Sequence, residues 1–277
     1  MELIRTQASY IIRNAPAYGT LGLTPSSDRL KSPQAFEYSK EYDGRLQSLS
    51  HAIITRIAFH NDRKKTGQDL DYSNEYQKTN TISIKFKEGK RIVTAFAELE
   101  NDEPSFILLT KGYQENHNSR ELFVPIDDPF ISRLIQIARE NNRITPAQPE
   151  IALKLSTKRA SDQYSRNKTI IAAIGSPEIA ELNAEYLDDE HYELGHLYDF
   201  PESKLEILLN GKERHALIRP VGLGGGNNDV HYINTTSLFN IPGRARAIIN
   251  RDRESVYRSH PAPKKMLEER RNHSIGR

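Results

Sequence analysis

The sequence predicts an α+β protein, with antiparallel or mixed sheet regions and several amphipathic helices. Three observations carry this. From Thr81 to Glu98 apolar residues alternate with polar ones, as Ile82, Ile84 and Phe86 and then Ile92, Thr94 and Phe96, which is the period of a half-buried strand. From Asp128 to Asn141 the period becomes helical, with Phe130, Leu134 and Ile137 beside Ile131, Ile135 and Ala138. The joins between the strand-like runs are too short for helical crossovers, so these strands pair antiparallel.

The chain begins with Leu3 to Ile12, which suits a strand or a short helix, and Ala15 to Ser27 reads as a loop because Gly, Pro and Ser recur. Ser32-Pro33 starts a helix. Leu46, Leu49, Ile53 and Ile57 give the next. Residues 60–69 read as a polar connection whose Arg63, Lys64 and Lys65 face solvent. After the alternating pair, residues 104–112 and 120–126 supply two further strands. The helix at Asp128-Pro129 has both a cap and a first-turn proline.

Residues 142–150 hold two prolines and read as a linker. The expected division is a helix and antiparallel-sheet domain over 1–142, a mixed domain with a helical cover over 151–250, and a basic tail over 251–277. One large domain is the alternative that the length of 277 residues equally allows. In the second half, Ile151 to Ala160 reads as a helix. Thr169 to Gly175 reads as a strand covered on both faces, because its apolar residues are consecutive. Three acidic helices follow, from Ser176, over residues 190–200, and from Pro201 to a stop at Asn210-Gly211. ALIRPV, DVHYIN and RARAIIN read as closing strands.

Composition narrows the chemistry. There is no cysteine, which removes disulfides, thiolate metal sites and cysteine nucleophiles. No apolar run approaches the roughly 20 residues that span a bilayer, and the N-terminus has charges within its short apolar runs. No membrane association and a cytoplasmic location are therefore expected. The net charge of +2 hides an uneven distribution: Ser176 to Leu209 has ten acidic residues and one lysine, whereas Arg244 to Arg277 has ten basic residues and four acidic. The basic end suits nucleic-acid phosphate. It equally suits self-association with the acidic helices into a homo-oligomer.

The candidate site is Leu217 to Ala247, where Gly222, Gly224, Gly225 and Gly226 precede Asn227, Asn228, Asp229 and His231. Exposed glycine N–H groups can grip phosphate. The run is not a P-loop, because Asn227-Asn228 stand where lysine and serine or threonine belong, and it lacks the third glycine of a dinucleotide fingerprint. If DVHYIN is a strand, Asp229 and His231 share a face, and His231 can act as a base with Asp229 beside it. Arg219, Arg244 and Arg246 can clamp an anion. The expected catalytic set is His231, Asp229 and Arg244. The expected binding set is Arg219, Gly224, Gly225, Gly226, Asn227, Asn228 and Arg246. No metal set is expected: His191 and His196 are five residues apart and diverge on a helix, and Glu98 and Glu100 read as solvated. No particular cofactor is indicated. The function expected is binding, extending to processing, of a phosphorylated or nucleotide-like ligand. The alternative is a non-catalytic interaction or nucleic-acid-associated protein using the basic tail.

Overall fold

A computed structural model describes residues 1–6, 9–67, 76–100, 121–147, 151–154, 158–190, 194–225, 230–236, 239 and 243–249. Within them the α+β class holds, as two sheets and seven helices. The smaller sheet contains β1 (Glu2–Arg5), β2 (Tyr10–Ala15), β3 (Gly19–Leu23), β4 (Arg45–Leu46) and β13 (Ala247–Ile249), in the order β1-β2-β3-β13-β4 and antiparallel throughout.

The larger sheet contains β5 (Gln77–Glu88), β6 (Arg91–Glu98), β7 (Leu122–Pro125), β8 (Ile144–Pro146), β9 (Ile151–Lys154), β10 (Leu194–Tyr198), β11 (His215–Gly225) and β12 (Val230–Asn234). Its order is β8-β6-β5-β11-β12-β10-β9, with β7 beside the first residues of β11. Only the β10–β12 pair among these is parallel. The sheet draws strands from both sides of residues 142–150, and β8 uses three of those residues.

Strand alternation gives this sheet two buried faces. On one, Ile82, Ile84, Phe86, Val93, Ala95 and Ile218 pack under α1 (Ser32–Glu41) and α3 (Pro129–Glu140). The Asp128 carboxylate accepts from the N–H groups of Phe130 and Ile131 at the start of α3. The stripe α3 buries is Ile131, Leu134, Ile135 and Ala138, which leaves Ile137 exposed. On the other face, Phe96, Val221, Leu223 and Ile233 meet α2 (Leu49–Thr66), α5 (Lys168–Ile174) and α6 (Pro177–Asp189). Tyr164 of α4 (Lys158–Arg166) joins them. Further along that face, Ile92 and Leu217 pack on Leu205 of α7 (Glu202–Leu208).

Several sequence expectations change. The segment expected as a loop at 15–27 contains β3, paired with β2. Residues 60–66 are not a connection but the end of α2, which stops at Gly67 with φ 67°. There Arg63 and Lys64 pair with Glu190 and Asp189, and His60 Nε2 lies 2.6 Å from Asp189 Oδ2. Thr169 to Gly175 is helix α5 rather than a strand. It is buried on nearly every side, so its apolar residues run consecutively without a helical period. Residues 190–200 hold strand β10 rather than a helix, paired to β12 on one side and β9 on the other. Ile151–Lys154 is a strand, and the helix expected there begins at Lys158. Glu98 accepts from Arg143 Nη1 over 3.2 Å. The strand expected at 104–112 and the tail at 251–277 lie outside the described residues. Among the described residues no helix is long and apolar enough to cross a membrane.

Candidate functional site

The β11–β12 hairpin is built on glycines for a steric reason. Gly224 lies directly opposite Tyr232, and Gly222 lies opposite Asn234 and Lys78. A Cβ on Gly224 would stand 2.1 Å from Tyr232 Cζ, and one on Gly222 would stand 2.0 Å from the Tyr76 hydroxyl oxygen. Both separations are far inside contact distance, so each glycine lets an aromatic ring lie flat on the strand. Tyr198, on the next strand, meets Tyr232 edge to face at 5.5 Å between ring centres. The result is a row of three half-buried tyrosines, 76, 232 and 198, across one face of the hairpin.

Lys78 closes the row at the Tyr76 end. It is 1% exposed, and its Nζ stands 5.3 Å from the Tyr76 ring centre. That Nζ makes no hydrogen bond among the described residues. Burial pulls its pKa down to about 7.

The opposite face of the same hairpin carries His231, which register places with Leu223 and Ile233 over α2. His231 is 0% exposed, and its ring centre lies 6.4 Å from that of Tyr186. Its pKa is lowered well below the ordinary histidine value, first by burial and then by the Arg56 charge. The imidazole is therefore neutral. Arg56 comes up from α2, 2% exposed, and its Nη1 donates to the Gly224 carbonyl over 3.3 Å. Its Nε and Nη2 have no hydrogen-bond partner among the described residues.

The three arginines expected as a clamp have separate partners. Arg219 donates to Glu121 Oε1 over 3.2 Å and lies 5.3 Å from the Phe200 ring centre. Burial lowers its pKa, and Glu121 opposes that shift. Arg244 reaches the Ser27 carbonyl over 3.3 Å. Arg246 is buried over the Phe59 ring at 4.8 Å and donates to the Thr24 carbonyl over 3.0 Å. His231 and the tyrosine row are thus on opposite faces of one sheet, and Gly225 is the residue opposite His231. Gly226, Asn227, Asn228 and Asp229 lie outside the described residues. Among those described, no three His, Asp or Glu side chains gather closely enough to hold a metal ion.

Sequence reasoning missed Lys78, Tyr76, Tyr198 and Arg56. Lys78 sits in the polar run NEYQKTN, ahead of the alternation that marks β5. Arg56 lies between Ile53 and Ile57, on a helix in which every residue from Leu49 to His60 is buried. A single arginine there looks like the solvent face of an amphipathic helix.

No protein-family model matches the chain, and no curated protein matches it. One solved structure is similar in fold, reported under "Accommodation of massive sequence variation in Nanoarchaeota by the C-type lectin fold". It is 12% identical, with a TM-score of 0.54 over 82% of this chain and 96% of that one. This likeness is one of fold.

Proposed function

We propose that the protein binds a phosphorylated, nucleotide-like ligand on the tyrosine face of the β11–β12 hairpin. The observation that carries this reading is the Lys78 ammonium, buried without a hydrogen bond at the end of the row formed by Tyr76, Tyr232 and Tyr198. A buried cation without a hydrogen bond costs free energy that a bound anion offsets. Tyrosine faces accept a planar ring, and such stacking tolerates varied bases. A ligand with a ring at one end and phosphate at the other fits that order of side chains. His231 is on the opposite face, so the reading assigns binding and no reaction. The similar structure is described as accommodating massive sequence variation. That description suits a frame whose function lies in the side chains mounted on it.

The test is calorimetric titration of the whole chain with nucleotides and sugar phosphates. Lys78→Met and Tyr232→Ala should each weaken the best ligand by about tenfold or more. Undiminished binding in both variants rules out this face.

A further inference from the structure

Arginine cannot escape burial by losing its proton, as lysine and histidine can. A guanidinium in a protein interior therefore needs compensating negative charge or a full set of acceptors. Arg56 has neither among its described neighbours. It is 2% exposed, and its one hydrogen bond is the 3.3 Å contact from Nη1 to the Gly224 carbonyl.

The described groups around it do not supply the charge. His231 is neutral, so it adds neither a counter-ion nor a second cation. The carboxylates that α6 brings to α2, at Asp189 and Glu190, meet it one to two turns further on, at His60, Arg63 and Lys64. Asp62 is held by Arg5.

The open donors also have a shape. Nε and Nη2 form one edge of the guanidinium fork, with two N–H groups directed the same way. That edge matches two oxygens of one oxyanion, whereas a halide offers a single point charge. Nη1 is already committed to Gly224, which fixes the fork's orientation between α2 and the hairpin.

We propose that Arg56 holds a small oxyanion of the carboxylate type in the interior between α2 and the β11–β12 hairpin, bound two-pronged by Nε and Nη2. This site is separate from the tyrosine face, since the sheet lies between them.

The test uses the whole chain at fixed ionic strength, with sodium chloride exchanged stepwise for sodium acetate. The wild type should show a saturable rise in Tm of about 3–5 °C. Arg56→Met should show none, and should begin from a higher Tm in chloride because no charge is buried. Arg56→Lys should show less than half the rise, since it keeps the charge but loses the fork. Lys78→Met should keep the full response, which separates this site from the nucleotide-like ligand. Should Arg56→Met fail to fold, calorimetric titration of the wild type and of Arg56→Lys with acetate decides. Absence of saturable acetate binding to the wild type overturns the proposal, as does an equal rise in Arg56→Met. An acetate response that appears only in Asp229→Asn also overturns it, because the chain's own carboxylate then fills the position.

Discussion

Gly224 and Tyr232 are cross-strand partners in which the missing Cβ of one is the seat of the other's ring. A methyl group at Gly224 meets the ring at 2.1 Å, and neither strand has slack, because Gly224 and Tyr232 both lie in the ladder. Gly224→Ala should therefore destabilise the fold by about 1–3 kcal/mol, the usual cost of overpacking. The same substitution in a Tyr232→Ala background should cost less than about 0.5 kcal/mol, because the clash has lost its second atom. A urea-denaturation cycle over the four proteins measures this. Equal costs in the two backgrounds would show that the glycine serves something other than the ring.

Lys78 makes stability depend on pH in a defined direction. Its folded-state pKa is about 7, against 10.5 for the ordinary side chain. Between those values the unfolded chain carries a proton that the folded chain lacks, so stability rises with pH across that window. Below pH 7 the burial penalty is present in full. Lys78→Met should be more stable than wild type at pH 6, by up to roughly 4 kcal/mol. The gap should close between pH 7 and 10. Denaturant midpoints at pH 6, 8 and 10 measure it, and a gap independent of pH would mean that Lys78 is not the titrating group.

The same lysine links ligand binding to proton uptake. A phosphate at its Nζ favours the ammonium form, whereas the unliganded protein begins to lose that proton near pH 7. Affinity for a phosphorylated ligand should fall as pH rises above 7, approaching about tenfold per unit. Calorimetry in two buffers with different ionisation enthalpies should show up to one proton taken up at pH 8. Binding at pH 8 without proton uptake would detach the ligand from Lys78.

Beneath α7 the larger sheet buries an ion pair. Lys85 Nζ lies 3.1 Å from Asp199 Oδ1 and donates to Ser83 Oγ over 2.8 Å. Asp199 also caps the Phe200 N–H over 2.7 Å. Burial lowers the Lys85 pKa, and Asp199 opposes that shift. Removing only the acid, as in Asp199→Ala, leaves the ammonium in the core and should cost about 3–5 kcal/mol. Lys85→Met combined with Asp199→Leu should recover most of that loss, since a buried pair is worth little over well-packed apolar residues. A double variant as unstable as Asp199→Ala would show that the Phe200 cap, not the charge, dominates.

Sequence legibility followed the spacing of polar among apolar residues. Helix α3 was readable because Asp128-Pro129 mark its start and one side faces water, so its apolar residues keep their period. Strands β5 and β6 are buried on both faces, and they were readable because Ser83 and Lys85 separate Ile82, Ile84 and Phe86, while Thr94 stands between Ile92 and Phe96. Helix α5 was not, because burial of Thr169, Ile170, Ala172, Ala173 and Ile174 removes any polar side. Strand β10 was hidden among the acidic residues of its neighbours. The glycines fall in the β11–β12 hairpin, but the ring that Gly222 makes room for belongs to Tyr76, 146 residues earlier in the chain. Arg56 and Lys78 carry the anion arguments only because they are buried, and burial of a charged residue leaves no local sequence pattern.

Helix α2 begins with a capping box in which histidine takes the usual Glu or Gln position, and this gives an acid-sensitive joint. The His51 N–H donates to Ser48 Oγ over 3.3 Å, while the Ser48 N–H and hydroxyl reach His51 Nδ1 at 3.4 Å and 2.6 Å. The ring also stacks on Tyr18 at 4.2 Å. Burial, aided by the Arg45 charge, pulls the His51 pKa from 6.5 down to about 3. Between those values the unfolded chain binds a proton that the folded chain refuses, so this contribution is complete above pH 6.5 and is lost as pH falls toward 3. The full span is on the order of 4 kcal/mol. His51→Gln keeps an acceptor for the Ser48 N–H and does not titrate, so it should cost about 1 kcal/mol at pH 7. It should then match or exceed wild-type stability by pH 4. Urea midpoints at pH 7, 5.5 and 4 give the comparison. An acid loss in His51→Gln as steep as in wild type would place the sensitive joint elsewhere.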